Sequence, residues 1–443
     1  MYLYSSLLQH EADQKPVRVG LIGAGKFGSM FLSQVPTTPG LVVTVIADLD
    51  PATAMTRCRE VGWDQARVDA TEFTDDAATM ISGDKIDVAV EATGHPAAGI
   101  KHALLCAEHG KHVVMVNVEA DVLAGPYLAA QARQAEVVYS MAYGDQPALT
   151  LEMVDWARCC GFHVVAAGKG TRYLPTYHAS TPDTVWSHYG LTAEEAAAAG
   201  MRSQMFNSFL DGTKSSIEMA AIANAAGLKV PTNGLAFPAC GAEDLSHVLR
   251  PKSDGGQLEF SGQVEVVSSL ERDGRPVARD LRWGVYCVFE APNDYSAACF
   301  KQYGMNTDDS GRYSAMFKPF HLIGLELNIS ILSAALRQQP TGAPGCFNAD
   351  VIAVAKRDLN EGETLDGEGG YTVWGKLMPA KASVSSQALP IGLASNVTLS
   401  APVKQGQIIT MKDINAETTA QAWQVRDKML AQFSPDGKSK NID

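Results

Sequence analysis

The stretch PVRVGLIGAGKFGSMF, from Pro16 to Phe31, restricts the fold more than any other part of the chain. Val17, Val19, Leu21 and Ile22 form a short aliphatic run of the kind that makes a buried parallel strand. Gly23, Gly25 and Gly28 follow with G-x-G-x-x-G spacing, and Phe27, Met30 and Phe31 continue at a helical period. The three glycines differ in what they allow. Gly23 permits a tight turn, Gly25 lets backbone N–H groups approach a diphosphate, and Gly28 lets helix and strand pack closely. The helix N-terminus then turns its positive end to the phosphates. Ala24, Lys26 and Phe27 lie in the same turn and join the glycines as predicted dinucleotide contacts.

Because a glycine fingerprint alone is a weak signal, the next segment decides. LVVTVIAD, Leu41 to Asp48, reads as a second buried strand ending in an acid about twenty residues beyond Gly28, where a carboxylate meets the adenosine ribose. The competing reading is that Asp48 ends a strand and caps a helix from about Ala52 to Val61. Strand, glycines, helix, strand and acid arrive in the order that a dinucleotide-binding unit requires.

A chain of 443 residues is too long for one ordinary core, so two or three domains are expected. Its net charge of -13, with no basic stripe, argues against a nucleic-acid or membrane-surface partner, while a local cationic pocket for a small anion stays compatible. The 8 cysteines include no C-x-x-C and indicate a reducing compartment. Cys159 and Cys160 read as neighbours on a helix rather than a redox pair. The first residues are too polar and broken for a signal peptide, and no apolar run reaches transmembrane length. A cytoplasmic location is expected.

After Asp48 the chain keeps alternating strand and helix, the pattern of a doubly wound sheet. Lys85–Pro96 reads as a strand ending in a turn, Ala97–Gly110 as a helix, Lys111–Asp121 as a strand and Val137–Ala142 as the last strand of this α/β unit. Ligands of such sheets lie beyond the carboxyl ends of the strands, which selects Thr93, Gly94, His95 and Asn117 as further cofactor contacts. His95 has the plainer alternative of bonding a loop. From Tyr143 the texture changes to a mixture of helices and alternating strands: a helix from Pro147 to Cys160, a strand over FHVVAAGKGT, helices at Thr192–Met201 and Thr213–Ala226, strands between Leu258 and Ala291, and a closing helix from Phe320 to Leu336. Beyond the turn-rich segment 342–350 come short β runs at Val351–Ala355 and Val397–Leu399 and a final helix near Ala416–Phe433. The expected architecture is a Rossmann doubly wound parallel sheet (1–143), an α+β catalytic and dimerisation domain (144–341) and a small β-rich domain (342–443).

The segments GKHVVMVNVEADVLAG and AYGDQPALTLEMVDWARCCGFHVVAAGKGT resemble homoserine dehydrogenases over roughly the first 230 residues. That family's catalytic lysine falls at Val118, and its helical Asp-x-x-x-Lys pair reads Lys214-x-x-x-Glu218, so homoserine is not the expected substrate. The tail, from VIAVAKRDLNEGETL through LPIGLASNVTLSAPVKQGQIITMKDI, is similar to the SAF domain, a small β-clip module. A homoserine-dehydrogenase-like front joined to a SAF tail resembles the deoxyxylulose-5-phosphate reductoisomerase-like (DRL) family over essentially the whole chain. IGAGKFGSMFLSQVP, EATGHPAAGI, MVNVEADVLAGP, YGDQPAL, STPDTVW and MFNSFLDGTKS carry that resemblance. It implies NADPH-dependent conversion of 1-deoxy-D-xylulose 5-phosphate to 2-C-methyl-D-erythritol 4-phosphate, a step toward isoprenoids. The alternatives are a plain dehydrogenase of another sugar, sugar acid or polyol, and a non-catalytic nucleotide sensor.

Such a reaction needs a phosphate clamp, proton-moving groups and a nicotinamide face. Lys169, Arg172 and Lys214 are the candidate clamp, set against the plainer readings of solvated loop cations and, for Lys214, an i, i+4 pair with Glu218. Asp145, Glu119, His178 and Asp211 are the candidate acid–base groups, with helix capping the alternative for Asp145. His178 and Asp183 belong to an aromatic stretch that reads either as a lid or as a packed surface loop. Lys318 and His321 could face the site, His321 having the alternative of a satisfied core histidine. The resemblance favours NADP(H), whereas Asp48 suits NAD(H), and Arg57 or Arg59 would reconcile the two if the following helix brought either one close. A divalent metal (Mg or Mn) is compatible with reductoisomerase chemistry, with Asp145, Glu119 and Asp211 as its conceivable donors. A phosphorylated sugar substrate and a homodimer complete the expectation.

Overall fold

The computed structural model describes residues 2–433. Their contacts divide the chain into two compact units: the stretch up to Glu152 with His321–Gly345 and Gln424–Phe433, and Met153–Phe320 with Cys346–Trp423. Residues 321–341, expected with the middle domain, and 342–345, expected with the tail, thus cluster with the first unit. The β-rich tail shares its unit with the middle of the chain.

In the first unit six strands form one parallel sheet in the order β3-β2-β1-β4-β5-β6, with β1 Val17–Ile22, β2 Leu41–Ala47, β3 Glu72–Thr74, β4 Val88–Glu91, β5 His112–Met115 and β6 Tyr139–Met141. The order runs outward in both directions from β1, as in a doubly wound fold. Aliphatic side chains from β1, β2, β4 and β5 are fully buried, which is why these strands are continuous apolar runs rather than alternating ones. One face packs on Leu327, Ile331 and Leu332 from the helix Asn328–Arg337 and its approach.

Two elements differ from expectation. The strand predicted to reach Asp121 stops at Met115, and the helix Val118–Gln134 takes over. Asn117 caps it by accepting from the Ala120 N–H, and Glu119 favours its first turn by its charge. Glu119 is therefore a helical residue and not a strand-end one. The closing helix starts at Asn328 rather than Phe320, because Gly324 adopts φ +78° and breaks any helical run before it.

In the second unit, β7 (His163–Thr171), β8 (Gln263–Ser268), β9 (Val285–Glu290) and β10 (Tyr313–Lys318) form a mixed sheet ordered β10-β9-β7-β8. The tail adds an antiparallel pair, β11 (Ala349–Ala355) with β13 (Val373–Pro379), and a small sheet of β12 (Thr364–Asp366), β14 (Ser395–Leu399) and β15 (Ile414–Asn415). The helix Thr213–Ala226 packs against β8, β11 and β13. At the junction the Gly375 N–H donates to the Thr213 hydroxyl at 2.8 Å, and a Cβ on Gly375 would lie 2.8 Å from the Thr213 methyl.

No helix among the described residues is long and apolar enough to cross a membrane.

Candidate functional site

In the first unit the three fingerprint glycines separate by their surroundings. Gly23 has φ +92°, and a Cβ there would sit 2.9 Å from the Ala92 carbonyl oxygen. A Cβ on Gly28 would lie 2.5 Å from the Gly23 carbonyl oxygen, so the close approach of helix and turn requires glycine. Gly25 is different: a Cβ there would meet no atom within 4 Å. It also precedes the helix Lys26–Leu32 as a cap with no side-chain hydrogen bond. Nothing among the described residues requires a glycine at 25, whereas a diphosphate approaching the helix N-terminus would.

Beside this turn, Asp48 accepts from the Ala24 N–H at 2.7 Å and from the Asp50 N–H at 3.0 Å. The cap of the helix Pro51–Glu60 is Asp50, whose carboxylate accepts from Thr53, and not Asp48. The half-buried Arg57 reaches back from that helix, its Nη1 donating to the Ala24 carbonyl at 2.6 Å, while Arg59 is exposed. Carboxylate and guanidinium thus both touch Ala24. These groups fit an adenosine ribose with or without a 2′-phosphate.

Thr93 and Gly94 follow β4, and Thr93 donates to the buried Glu91 at 2.6 Å. His95 caps the helix Pro96–Glu108, its Nδ1 accepting from the Ala98 N–H at 3.4 Å. The buried Asn117 donates to the His95 carbonyl at 2.9 Å, which ties the ends of β4 and β5 together. Asp145 is buried and accepts from the Gln146 N–H at 2.9 Å, just where the helix Gln146–Cys159 begins. His321 is half-buried and meets the Gln146 amide at 3.2 Å.

A buried carboxyl in this unit carries a pH signature. Asp121 accepts from the Tyr139 hydroxyl at 2.8 Å, its second oxygen has no hydrogen-bond partner among the described residues, and burial pushes its pKa up to about 7. The unfolded chain releases this proton near pH 4, so between pH 4 and 7 the folded state holds more protons and stability falls as pH rises. Above pH 7 the full penalty applies. Asp121→Asn is expected to be about 1–3 kcal/mol more stable than the parent at pH 8, with the gain gone by pH 4. Urea unfolding at the two pH values measures it.

The second unit gathers a different set. Lys169 lies within β7 and is not a loop cation; it is buried and ion-paired with Glu218. Lys214 is half-buried in the first turn of the helix Thr213–Ala226. Arg172 is half-buried just past β7. Asp211 is fully buried, accepts from the Thr213 N–H at 2.9 Å and pairs at 2.8 Å with Lys356, a tail residue. Lys356 also donates to the Ser180 and Gly370 carbonyls, at 2.8 and 2.7 Å.

His178 is held from both sides. Its Nδ1 donates to the Asp211 carbonyl at 2.7 Å, which leaves Nε2 to accept from the Tyr173 hydroxyl at 2.9 Å. Burial lowers its pKa, so the ring is neutral near pH 7. Its face stacks on Trp374 and Tyr173 stacks on Phe237, each pair with ring centroids 3.9 Å apart. The aromatic stretch carrying His178 and Asp183 is packed: Tyr177, Val185 and Trp186 are buried, and Tyr371 donates to Asp183 at 2.9 Å.

A cavity of about 240 Å³ opens here, with His178, Ser216, Phe237, Trp374 and Lys376 in its wall and Asn233 among its lining residues. Sequence reasoning missed Tyr173, Ser216, Lys356, Trp374 and Lys376. The alternation in VWGKLM was the available signal for two of them: Trp374 and Lys376 share one face of β13, with Gly375 on the other. Among the described residues no group of three or more His, Cys, Asp or Glu side chains is placed to hold a metal ion.

Residues 144–327 match the family described as "Oxidoreductase DRL, catalytic domain", and residues 17–116 match "Oxidoreductase family, NAD-binding Rossmann fold". No curated protein matches the chain. Among solved structures, a probable dehydrogenase from Thermotoga maritima is 14% identical, with 74% of this chain and 91% of that chain covered and a TM-score of 0.39. Myo-inositol dehydrogenase from Lactobacillus casei, in complex with NAD(H) and myo-inositol, is 13% identical over 62% and 71%, with a TM-score of 0.34. KijD10, a 3-ketoreductase from Actinomadura kijaniata in complex with NADP, is 18% identical over 35% and 49%, with a TM-score of 0.25. These scores are too low to bear on substrate or mechanism. The two family matches, both to oxidoreductases, support an NAD(P)-dependent oxidoreductase with a Rossmann domain and a DRL-type catalytic domain.

Proposed function

We propose that this oxidoreductase transfers hydride between NAD(P) and a small hydroxylated substrate, a sugar, sugar acid or polyol. The open surroundings of Gly25 at the start of the Lys26–Leu32 helix, with Asp48 beside it, are the observation that carries the reading. When bound, the nicotinamide supplies or accepts the hydride. The protein's part is to hold the diphosphate on the backbone N–H groups from Gly25 onward and the ribose at Asp48. His178 offers a neutral imidazole whose tautomer is set by the Asp211 carbonyl, which suits it to hold a substrate hydroxyl.

A second reading, reduction and rearrangement of 1-deoxy-D-xylulose 5-phosphate, follows from the resemblance to the DRL family, whose catalytic-domain model matches residues 144–327. Absorbance at 340 nm separates the two. Turnover of NAD(P)H or NAD(P) with unphosphorylated polyols, sugars or sugar acids supports the first, and NADPH oxidation by deoxyxylulose 5-phosphate alone supports the second. Nucleotide binding without any turnover would reject both in favour of a sensor. A homodimer and a SAF-type tail belong to the same proposal.

Cofactor choice rests on Arg57. Its contact with the Ala24 carbonyl puts a cation next to the position a 2′-phosphate would take, against the repulsion from Asp48. Arg57→Ala is therefore expected to lower kcat/KM for NADPH relative to NADH by about tenfold or more, roughly 1.4 kcal/mol. Initial rates with each cofactor measure it.

A further inference from the structure

We infer that Glu265 and Arg272 are positioning residues: together they hold the turn at residues 231–238, one wall of the cavity, and through it the ring of His178. The inference rests on reading this cavity as the substrate end of the oxidoreductase, with His178 as the group that meets a substrate hydroxyl. Three observations carry it.

The first is a backbone conformation that local preference opposes. Phe237 has φ +51°, in the left-handed region, although it is bulky and precedes Pro238. A proline pushes the residue before it to extended conformations, and a bulky side chain disfavours positive φ, so the turn would not rest here by itself. Contacts from outside the turn must hold it.

The second is a clamp on that same backbone. Glu265, buried on β8, accepts at its carboxyl from the N–H groups of Ala236 at 3.1 Å and Phe237 at 3.3 Å. From the other side, Nη2 of Arg272 donates to the carbonyls of the same two residues, at 2.8 and 2.9 Å. The carboxyl supplies the acceptors and the guanidinium the donors, so between them they fix both polar groups of each peptide residue.

The third is what the turn supports. Asn233, Leu235 and Phe237 line the cavity. Phe237 stacks on Tyr173 with ring planes 13° apart, and the Arg272 guanidinium lies over the Tyr173 ring, 5.4 Å from its centroid. The Tyr173 hydroxyl in turn donates to Nε2 of His178. Two contacts therefore lead from the clamped residue to the imidazole.

The test reads His178 in protein without cofactor or substrate. Full-length protein carrying ¹³C,¹⁵N-histidine is titrated with acid and base by NMR, the His178 signals being assigned through His178→Gln. Arg272 is exposed, so Arg272→Ala is expected to keep the parent melting temperature while its His178 midpoint rises toward the value of a solvated imidazole, about 6.5, as water reaches the ring. Arg272→Lys, which keeps a donor for the carbonyls, is expected to restore the parent midpoint. Glu265→Leu separates position from charge: loss of a negative charge alone lowers the His178 midpoint or leaves it, whereas a freed wall raises it. Glu265→Gln, which keeps an acceptor, is expected to stay near the parent. An unmoved His178 in Arg272→Ala overturns the inference, as does an unmoved or lowered midpoint in folded Glu265→Leu. With a hydroxylated substrate that the parent turns over, Arg272→Ala is expected to lower kcat about tenfold with NADPH binding unchanged. A parent-like kcat overturns the role in the reaction. If the parent turns over nothing, the function proposed above fails, and the His178 titration still decides the clamp.

Discussion

Lys356→Met is expected to lower the unfolding free energy by about 3–5 kcal/mol, the largest stability loss that a single polar side chain in this chain should produce. The Lys356 ammonium and the Asp211 carboxylate are both essentially sealed from water and 2.8 Å apart. Removing the ammonium leaves the carboxylate buried without its countercharge, and burial already pushes the Asp211 pKa up against the pull of Lys356. The Ser180 and Gly370 carbonyls each lose one donor at the same time, with the Asn207 amide still donating to the Ser180 oxygen at 3.1 Å. Lys356→Met combined with Asp211→Asn removes the stranded charge and keeps an acceptor for the Thr213 N–H, so the double variant is expected to lie nearer the parent than Lys356→Met alone. Urea unfolding of the four proteins at pH 7 measures the cycle. A loss under about 1 kcal/mol for the single variant would show that the pair is solvated.

The second large effect separates two glycines three residues apart. Gly25→Ala should leave the melting temperature unchanged, since the added carbon meets no protein atom, yet raise the NAD(P)H dissociation constant by about 10- to 100-fold, roughly 1.4–2.7 kcal/mol. Gly28→Ala should lose both stability and cofactor binding, because the new carbon would lie 2.5 Å from the Gly23 carbonyl oxygen and force helix and turn apart. Fluorescence titration with NADPH and thermal melting give the two readouts. If Gly25→Ala bound the nucleotide as tightly as the parent, the turn would not be where the diphosphate lies.

Most of the parallel sheet was readable because β1, β2, β4 and β5 are largely aliphatic, and because the glycine spacing fixes where β1 must turn, whereas the short half-exposed β3 was not anticipated. The readings that failed did so for local reasons. MVNVEAD has the β-branched content of a strand, but Asn117 followed by acids at the second and fourth helical positions is a helix start, and the cap outweighed the composition. The apolar residues from Phe320 onward suggested helix, and Gly324 interrupts it.

The site was legible only in part. His178 and Asp211 were candidates from their residue types, and both lie in one hydrogen-bonded chain. What sequence could not supply was pairing at long range: Lys169 with Glu218, Asp211 with Lys356, and Trp374 against the His178 ring depend on which strand the tail lays on which helix. No spacing rule links residues so far apart, and VWGKLM reads as only one short alternating stretch.

The packing of Leu327, Ile331 and Leu332 on the parallel sheet bears on how the protein is made. Ribosomes add about 5–20 residues per second, and roughly 190 residues separate the end of β6 from Leu332, so the last strand emerges ~10–40 s before the helix that covers the sheet. During that interval a largely aliphatic surface built from β1, β4 and β5 waits uncovered on the nascent chain. Holding chaperones should therefore engage this polypeptide most strongly midway through translation and let go once the Asn328–Arg337 segment has left the exit tunnel.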